Sequence, residues 1–227
     1  MTPKLVIFDC DGVLVDTENI ANERLAAWLV EAGYETTFGH CRKYFSGRSM
    51  VSVQCEVEAS GTSLGVDFVD RWNAGLADLF ADRVEAVPHV RTFIDAVRTA
   101  GIPYCVASSA WVTKMHITLG ATGLLPLFEH AMFSATMVGR SKPFPDLFLH
   151  AAEAMGVAPD DCVVIEDSVA GTQAGVAAGM RVFSYHGDPY ADPDGLEMAG
   201  GVLFDDMRKL AELIPIAARA ATSRSTV

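Results

Sequence analysis

Apolar residues fall along the chain in two rhythms. Four short stretches, at 4–8, 102–107, 162–165 and 180–185, are almost continuously apolar rather than alternating, which is how a strand buried on both faces of a parallel sheet reads. Each runs into polar residues at its C-terminal end: Asp9-Cys10-Asp11-Gly12, Ser108-Ser109, Glu166-Asp167 and His186-Gly187-Asp188. Between them, helical periodicity covers 90–99, 146–155 and 168–178, closed by Gly101, Gly156 and Gly179. Strands alternating with helices of this length predict an α/β fold, a doubly wound parallel sheet with right-handed crossovers. In such sheets the ligand crevice lies outside the carboxyl ends of the strands, which is where this chain carries its carboxylates and serines.

The stretch 17–84 breaks the alternation. It has helical patterns at 20–31, 50–59 and 68–79 and none of the apolar strand runs, so an all-helical insertion is expected there. The α/β core would then comprise 1–16 and 85–227, with hinges near Asp16-Thr17 and Ala86-Val87-Pro88. A helical pattern at 207–221 predicts a last helix, followed by a polar tail.

Composition narrows the class. Half of the 227 residues are hydrophobic and 20% are charged, which supplies a sizeable core and excludes general disorder. The net charge of −12, with no cluster of Lys and Arg, argues against a nucleic-acid partner and against an anionic membrane surface. No stretch approaches the roughly 20 apolar residues of a membrane span. Five cysteines, an odd number without a CxxC pair, fit a reducing compartment, so a soluble cytoplasmic protein is expected.

The polar strand ends carry the candidate chemistry. Asp9 and Asp11 lie two apart after a buried strand; with strand geometry maintained, both carboxylates would point the same way and need a counter-ion. An oxygen-only ligand set favours Mg²⁺, whereas a plain turn is the competing reading. A Ca²⁺ loop counted from Asp9 fails, because Leu14 and Ile20 stand where Gly and Glu are required. Glu166 and Asp167 precede Ser168 at a helix start and taken alone read as capping; beside Asp9 and Asp11 they make four acids that a divalent cation would relieve. Ser108 and Ser109 open a helix near Ala110-Trp111, where one can cap while the other hydroxyl, with backbone N–H groups, holds phosphoryl oxygens. Lys142, in the stiff Ser141-Lys142-Pro143-Phe144-Pro145 loop, is either a solvated charge or an ammonium held against the acids.

The segment 9–18 (Asp-Cys-Asp-Gly-Val-Leu-Val-Asp-Thr-Glu), Ser108, Ser141-Lys142-Pro143 and the segment 166–171 (Glu-Asp-Ser-Val-Ala-Gly) resemble, in order, the four motifs of the haloacid dehalogenase-like hydrolase superfamily. The likeness covers nearly the whole chain. The insertion is similar to the small helical cap of β-phosphoglucomutase-like and phosphoglycolate phosphatase-like members, and 105–190 is similar to bacterial sugar-phosphate phosphatases of the 6-phosphogluconate phosphatase kind. The resemblance implies a Rossmann-like core with the cap at 17–84. It implies that Asp9 is the nucleophile of an aspartyl-phosphate mechanism and that Asp11 is the general acid and then base. Ser108 and Lys142 would hold the phosphoryl group, with Ser109 the alternative serine; Asp9, the backbone carbonyl of Asp11, Asp167 and Glu166 would bind Mg²⁺.

The acid at position 11 argues against dehalogenases and phosphonatases, which lack it. A phosphosugar mutase shares the core and stays as the alternative; Glu18 after Asp16-Thr17 looks more like the phosphatases. In the cap, Arg48 and Glu18 are the substrate candidates, while Arg42, Lys43 and Arg71 read as solvated charges. A non-catalytic binding protein would not need the full set of acids and lysine. The expected partner is a small phosphorylated metabolite, and the expected state a monomer or at most a weak dimer.

Overall fold

The computed structural model describes residues 2–46, 48–81 and 83–216. Six parallel strands form the main sheet in the order β5-β4-β1-β6-β7-β8: β1 Leu5–Phe8, β4 Tyr104–Ser108, β5 Met132–Ser134, β6 Cys162–Glu166, β7 Arg181–Tyr185 and β8 Val202–Phe204. Two further strands, β2 Val15–Asp16 and β3 Glu85–Ala86, pair only with each other, antiparallel, as a short ribbon.

The central strands are apolar throughout because both faces are covered. Along β1, Val6 and Phe8 enter one hydrophobic cluster while Leu5 and Ile7 enter the other, and β6 divides in the same way between Val163/Ile165 and Cys162/Val164. Helix α6 (Val90–Thr99) buries Val90, Phe93, Ile94 and Val97, one stripe at helical spacing. Phe8 meets Phe93 and Phe128 edge-on at 6.0 and 5.8 Å, which ties β1 to α6 and to the short α8 (Leu125–Phe128). Helices α7 (Val112–Ala121), α9 (Asp146–Ala154), α10 (Val169–Ala177), α11 (Pro193–Met198) and α12 (Leu210–Leu213) complete the layers.

Five helices lie between β2 and β3: α1 Glu18–Glu31, α2 Phe38–Tyr44, α3 Met50–Ala59, α4 Phe68–Ala74 and α5 Leu76–Phe80. The single helix expected over 68–79 is two, divided at Gly75, whose carbonyl accepts from Arg24 at 2.8 Å while that guanidinium stacks on Trp28 and Trp72. The helix expected over 207–221 is shorter: a 3₁₀ turn at Met207–Lys209, then α12, which ends at Leu213; its remainder from 217 lies outside the described residues. The four cysteines other than Cys55 are buried, and all five are free thiols. No helix among the described residues is long and apolar enough to cross a membrane.

Candidate active site

Sheet order places β1 at the centre, with β4 on one side and β6 on the other, so the chain reverses direction across β1 and opens a crevice at these three carboxyl ends. Asp9 leaves β1 still hydrogen-bonded to β6, its amide donating to the Ile165 carbonyl at 2.9 Å. The chain then turns sharply, with the amides of Leu14 and Val15 both donating to the Cys10 carbonyl. Gly12 makes the turn possible: its φ is +79°, and a Cβ there would sit 1.9 Å from Asp167 Oδ2. Strand geometry therefore does not persist, and the carboxylates of Asp9 and Asp11 take different side-chain partners.

Asp9, 6% exposed, pairs with Lys142, whose Nζ stands 2.5 Å from Asp9 Oδ1 and 2.6 Å from Glu166 Oε1. Lys142 is thus buried between two carboxylates and above the Phe148 ring, 5.0 Å from its centre. Burial opposes its charge, but the carboxylates of Asp9 and Glu166 outweigh that effect and hold its pKa above the usual lysine value. The other Glu166 oxygen, Oε2, accepts from the Asp167 amide at 2.8 Å, the Ser168 amide at 2.7 Å and the Ser168 hydroxyl at 2.9 Å. Ser168 Oγ in turn accepts from the Gly171 amide and so caps α10. The capping reading of this segment holds together with a second job, the anchoring of Lys142.

Carboxylate oxygens of Asp9, Glu166 and Asp167 lie within 4.8 Å of one another. Asp167 has no ion-pair partner among the described residues, and burial, followed by the charges of Glu166 and Asp9, holds its pKa well above the usual carboxylate range. Burial likewise raises Asp9 to about 7, against the lowering pull of Lys142. Three clustered carboxylates share a single ammonium here, and their all-oxygen donor set fits a hard divalent cation. Glu166 is a weaker member of that set, because both of its oxygens are already engaged.

The side chain of Asp11 lies outside this cluster. Thr17 Oγ1 donates to Asp11 Oδ1 at 2.6 Å and Lys114 Nζ stands 2.9 Å from the same oxygen. Ser108 is fully buried at the end of β4, its Oγ accepting from the Ala110 amide at 3.0 Å, while Ser109 is exposed. Ser134, at the end of β5, donates to the Ala110 carbonyl at 2.8 Å and fixes the same loop.

In the insertion, Glu18 stands beside the site, and burial raises its pKa with Lys114 pulling the other way. Arg42 is a correction: sequence alone makes it a solvated charge, yet it is 4% exposed. Its guanidinium donates to Ser46 Oγ at 2.7 Å, pairs with Glu18 at 3.4 Å and forms a short ion pair with Asp188 after β7. It also stacks 5.0 Å from the Tyr190 ring centre, and its Nε has no partner. Arg48 faces its own surroundings, with Glu56 at 2.7 Å, Ser52 Oγ at 2.8 Å and the Tyr44 carbonyl at 3.2 Å, and touches none of the site carboxylates. Lys114 escaped the sequence reading altogether, and Asp188 entered it only as part of the polar end of a strand, with no role. Lys114 did leave a signal: a cation in the first turn of a helix works against the helix dipole and asks for a carboxylate nearby.

Comparison with known proteins bears on this geometry. Residues 3–179 match the model of the haloacid dehalogenase-like hydrolase family. A 6-phosphogluconate phosphatase of Escherichia coli (strain K12) is 33% identical over 190 residues, which cover 83% of this chain and 85% of that protein. Among solved structures, a haloacid dehalogenase-like protein of Agrobacterium tumefaciens str. C58 superimposes with a TM-score of 0.79 at 34% identity, over 93% of this chain and 97% of that one. A family hydrolase of Deinococcus radiodurans R1, solved with bound phosphate and sodium, gives 0.77 at 31% identity, over 93% and 95%.

Proposed function

We propose a reaction for this chain, which belongs to the haloacid dehalogenase-like hydrolase family: Mg²⁺-dependent hydrolysis of a phosphomonoester through an aspartyl-phosphate on Asp9. The substrate is a small phosphorylated metabolite, a sugar phosphate or a phosphorylated sugar acid; the Escherichia coli relative named for 6-phosphogluconate supports that range. The observation that carries the reading is the Lys142 ammonium held 2.5 Å from Asp9 and 2.6 Å from Glu166, with Asp167 completing the acidic cluster.

The Asp9 carboxylate attacks phosphorus, and the bond to the leaving oxygen breaks as Asp11 gives that oxygen a proton. Asp11, now a base, takes a proton from water, whose oxygen attacks the phosphorus of the aspartyl-phosphate and releases inorganic phosphate and free Asp9. Lys142 neutralises the charge that otherwise repels an anionic attacker from a phosphate dianion. Ser108 and the amides that open α7 hold the phosphoryl oxygens at the positive end of that helix. When bound between Asp9, Asp167 and the backbone carbonyl of Asp11, Mg²⁺ supplies the remaining positive charge. Glu166 acts on the reaction through Lys142, whose position it sets. Residues 17–84 act as a cap that excludes water during transfer, with Glu18 and Arg42 at its face to the site.

The test is inorganic phosphate release, with and without Mg²⁺, across a panel that includes 6-phosphogluconate and hexitol phosphates. Turnover that requires Mg²⁺ and disappears in Asp9→Asn is the expected result. Absence of turnover on every ester, or an undiminished rate in Asp9→Asn, would refute the proposal; an isomeric phosphosugar without stoichiometric phosphate would make the protein a mutase.

A further inference from the structure

We propose that Lys114 is a positioning residue for Asp11: it and Thr17 occupy one carboxylate oxygen so that the other faces the leaving group. The inference rests on the role given to Asp11 above and goes beyond it.

Lys114 is the third residue of α7, which starts directly beyond the β4 end that carries Ser108. Its side chain is 23% exposed and passes over the Phe80 ring, 5.7 Å from the centre, to bring Nζ within 2.9 Å of Asp11 Oδ1. Burial and the positive end of α7 both oppose an ammonium here. The carboxylates of Asp11 and Glu18 reverse the balance, and Lys114 stays charged with its pKa raised.

Asp11 Oδ1 therefore receives two donors, the Thr17 hydroxyl at 2.6 Å and the Lys114 ammonium at 2.9 Å. They approach from opposite parts of the chain, one from the ribbon end that leads into α1 and the other from α7. Two fixed donors on a single oxygen define the carboxylate plane, and neither of them occupies Oδ2. A proton carrier must present its basic oxygen in one direction at hydrogen-bond reach. With Lys114 removed, Thr17 alone leaves the carboxylate free to turn about its terminal torsion, which is broad in energy.

An ion pair that merely braced α7 would produce a different kinetic pattern, and leaving-group dependence separates the two. An alkyl phosphate such as a hexitol phosphate needs a proton on its departing oxygen, whereas p-nitrophenyl phosphate expels a stable phenolate without one. The readout is kcat/KM, which ends at leaving-group departure for both esters. In Lys114→Met it is expected to fall about 10- to 100-fold on the alkyl ester, part of the 10²–10⁴ that a general acid contributes. On the aryl ester the fall is expected to stay within about 3-fold, and Lys114→Arg, which keeps a donor, should recover most of the alkyl activity. In an Asp11→Asn background, Lys114→Met should cost nothing further.

Equal losses on both esters, no loss on either, or a full loss that persists beside Asp11→Asn would overturn the proposal. Should Lys114→Met fail to fold in a melting experiment, Lys114→Leu, which likewise lacks a donor, carries the same comparison. The hydrolase reading is judged separately by Asp9→Asn on the wild-type background. Turnover lost there, with an unchanged alkyl-to-aryl ratio in the Lys114 variants, defeats the positioning role and spares the hydrolase.

Discussion

Replacing Gly171 by Ala sets two physical effects against each other. Gly171 lies in the first turn of α10 with an ordinary helical backbone, where Ala is intrinsically better than Gly by about 0.8–1 kcal/mol. A Cβ at that position, however, would stand 1.8 Å from Glu166 Oε1 and 2.0 Å from its carboxyl carbon. Contact between such atoms needs about 3.5 Å, so the carboxylate must withdraw well over an ångström from a site where its side chain is 1% exposed. Withdrawal strains four interactions at once: Lys142 at 2.6 Å, the amides of Asp167 and Ser168, and the Ser168 hydroxyl. Hydrogen bonds to charged groups contribute about 1.5–3 kcal/mol each, and disruption of a buried pair costs about 3–5 kcal/mol. After the gain in helix propensity, a net loss of about 2–4 kcal/mol is expected. For a chain of this size that is a fall in Tm of about 5–15 °C, with kcat reduced because Lys142 is no longer held. Gly39→Ala in α2 is the matched control: nothing lies within 4 Å of its Cβ, so it should stabilise by about 0.5–1 kcal/mol. Paired melts and urea titrations decide the matter. A Gly171→Ala protein as stable as wild type, or more so, would mean that the Glu166 carboxylate does not rest on that Cα and that Lys142 is positioned by something else.

Three further outcomes follow from the same contacts. Lys142→Met leaves Asp9 and Glu166 buried without their cation, so in EDTA it should lose about 3–5 kcal/mol of stability by urea titration, and Mg²⁺ should return part of it; a neutral substitution would refute the buried pair. With Asp9 raised to about 7 against about 3.9 in the unfolded chain, the metal-free folded state binds the proton more tightly. That stabilisation is complete below about pH 4 and lost as pH rises through about 7. Protons and Mg²⁺ therefore compete, and the thermal shift caused by Mg²⁺ should be larger at pH 7.5 than at pH 5.5; a shift independent of pH would count against the acidic cluster as the binding site. Asp188→Asn removes the one ion pair that joins the helical insertion to the sheet among the described residues. Hydrogen exchange should quicken at the β2 and β3 amides and stay unchanged in β6, whereas unchanged exchange in the ribbon would deny the pair a fastening role.

What the sequence reveals depends on how local each signal is. β1, β4, β6 and β7 announce themselves as apolar runs because both faces of each are covered, whereas β5 and β8, three residues each at the two edges of the sheet, are too short to form a run. Helix α2 is hidden because it is seven residues long and a charged residue, Arg42, stands on its buried face. Asp9, Glu166 and Asp167 are legible because each follows directly on a buried strand, and Lys142 because two prolines stiffen its loop. Arg42 is illegible for the converse reason: its carboxylate partner Asp188 is 146 residues away, and nothing nearby in sequence shows that the cation is enclosed. The turn after Asp9 is legible only as the competing reading of its Asp and Gly residues, since what fixes it, Gly12 lying against Asp167 just beyond β6, is distant in sequence.

The β2–β3 ribbon has a consequence for how such a protein can change. The chain departs for its five intervening helices and comes back on two neighbouring strands, Val15 opposite Ala86 and Asp16 opposite Glu85. Entry and exit are thus stitched side by side on this two-rung ladder, and the excursion also touches the rest of the chain through the Arg42–Asp188 pair and through Phe80 beneath Lys114. A segment of different length or architecture could be grafted at the same seam with little added closure entropy, provided that its ends continue the ladder. The strand order and the crevice at the strand ends would be left as they are, so what stands over the crevice can change independently of the acids and the lysine that line it.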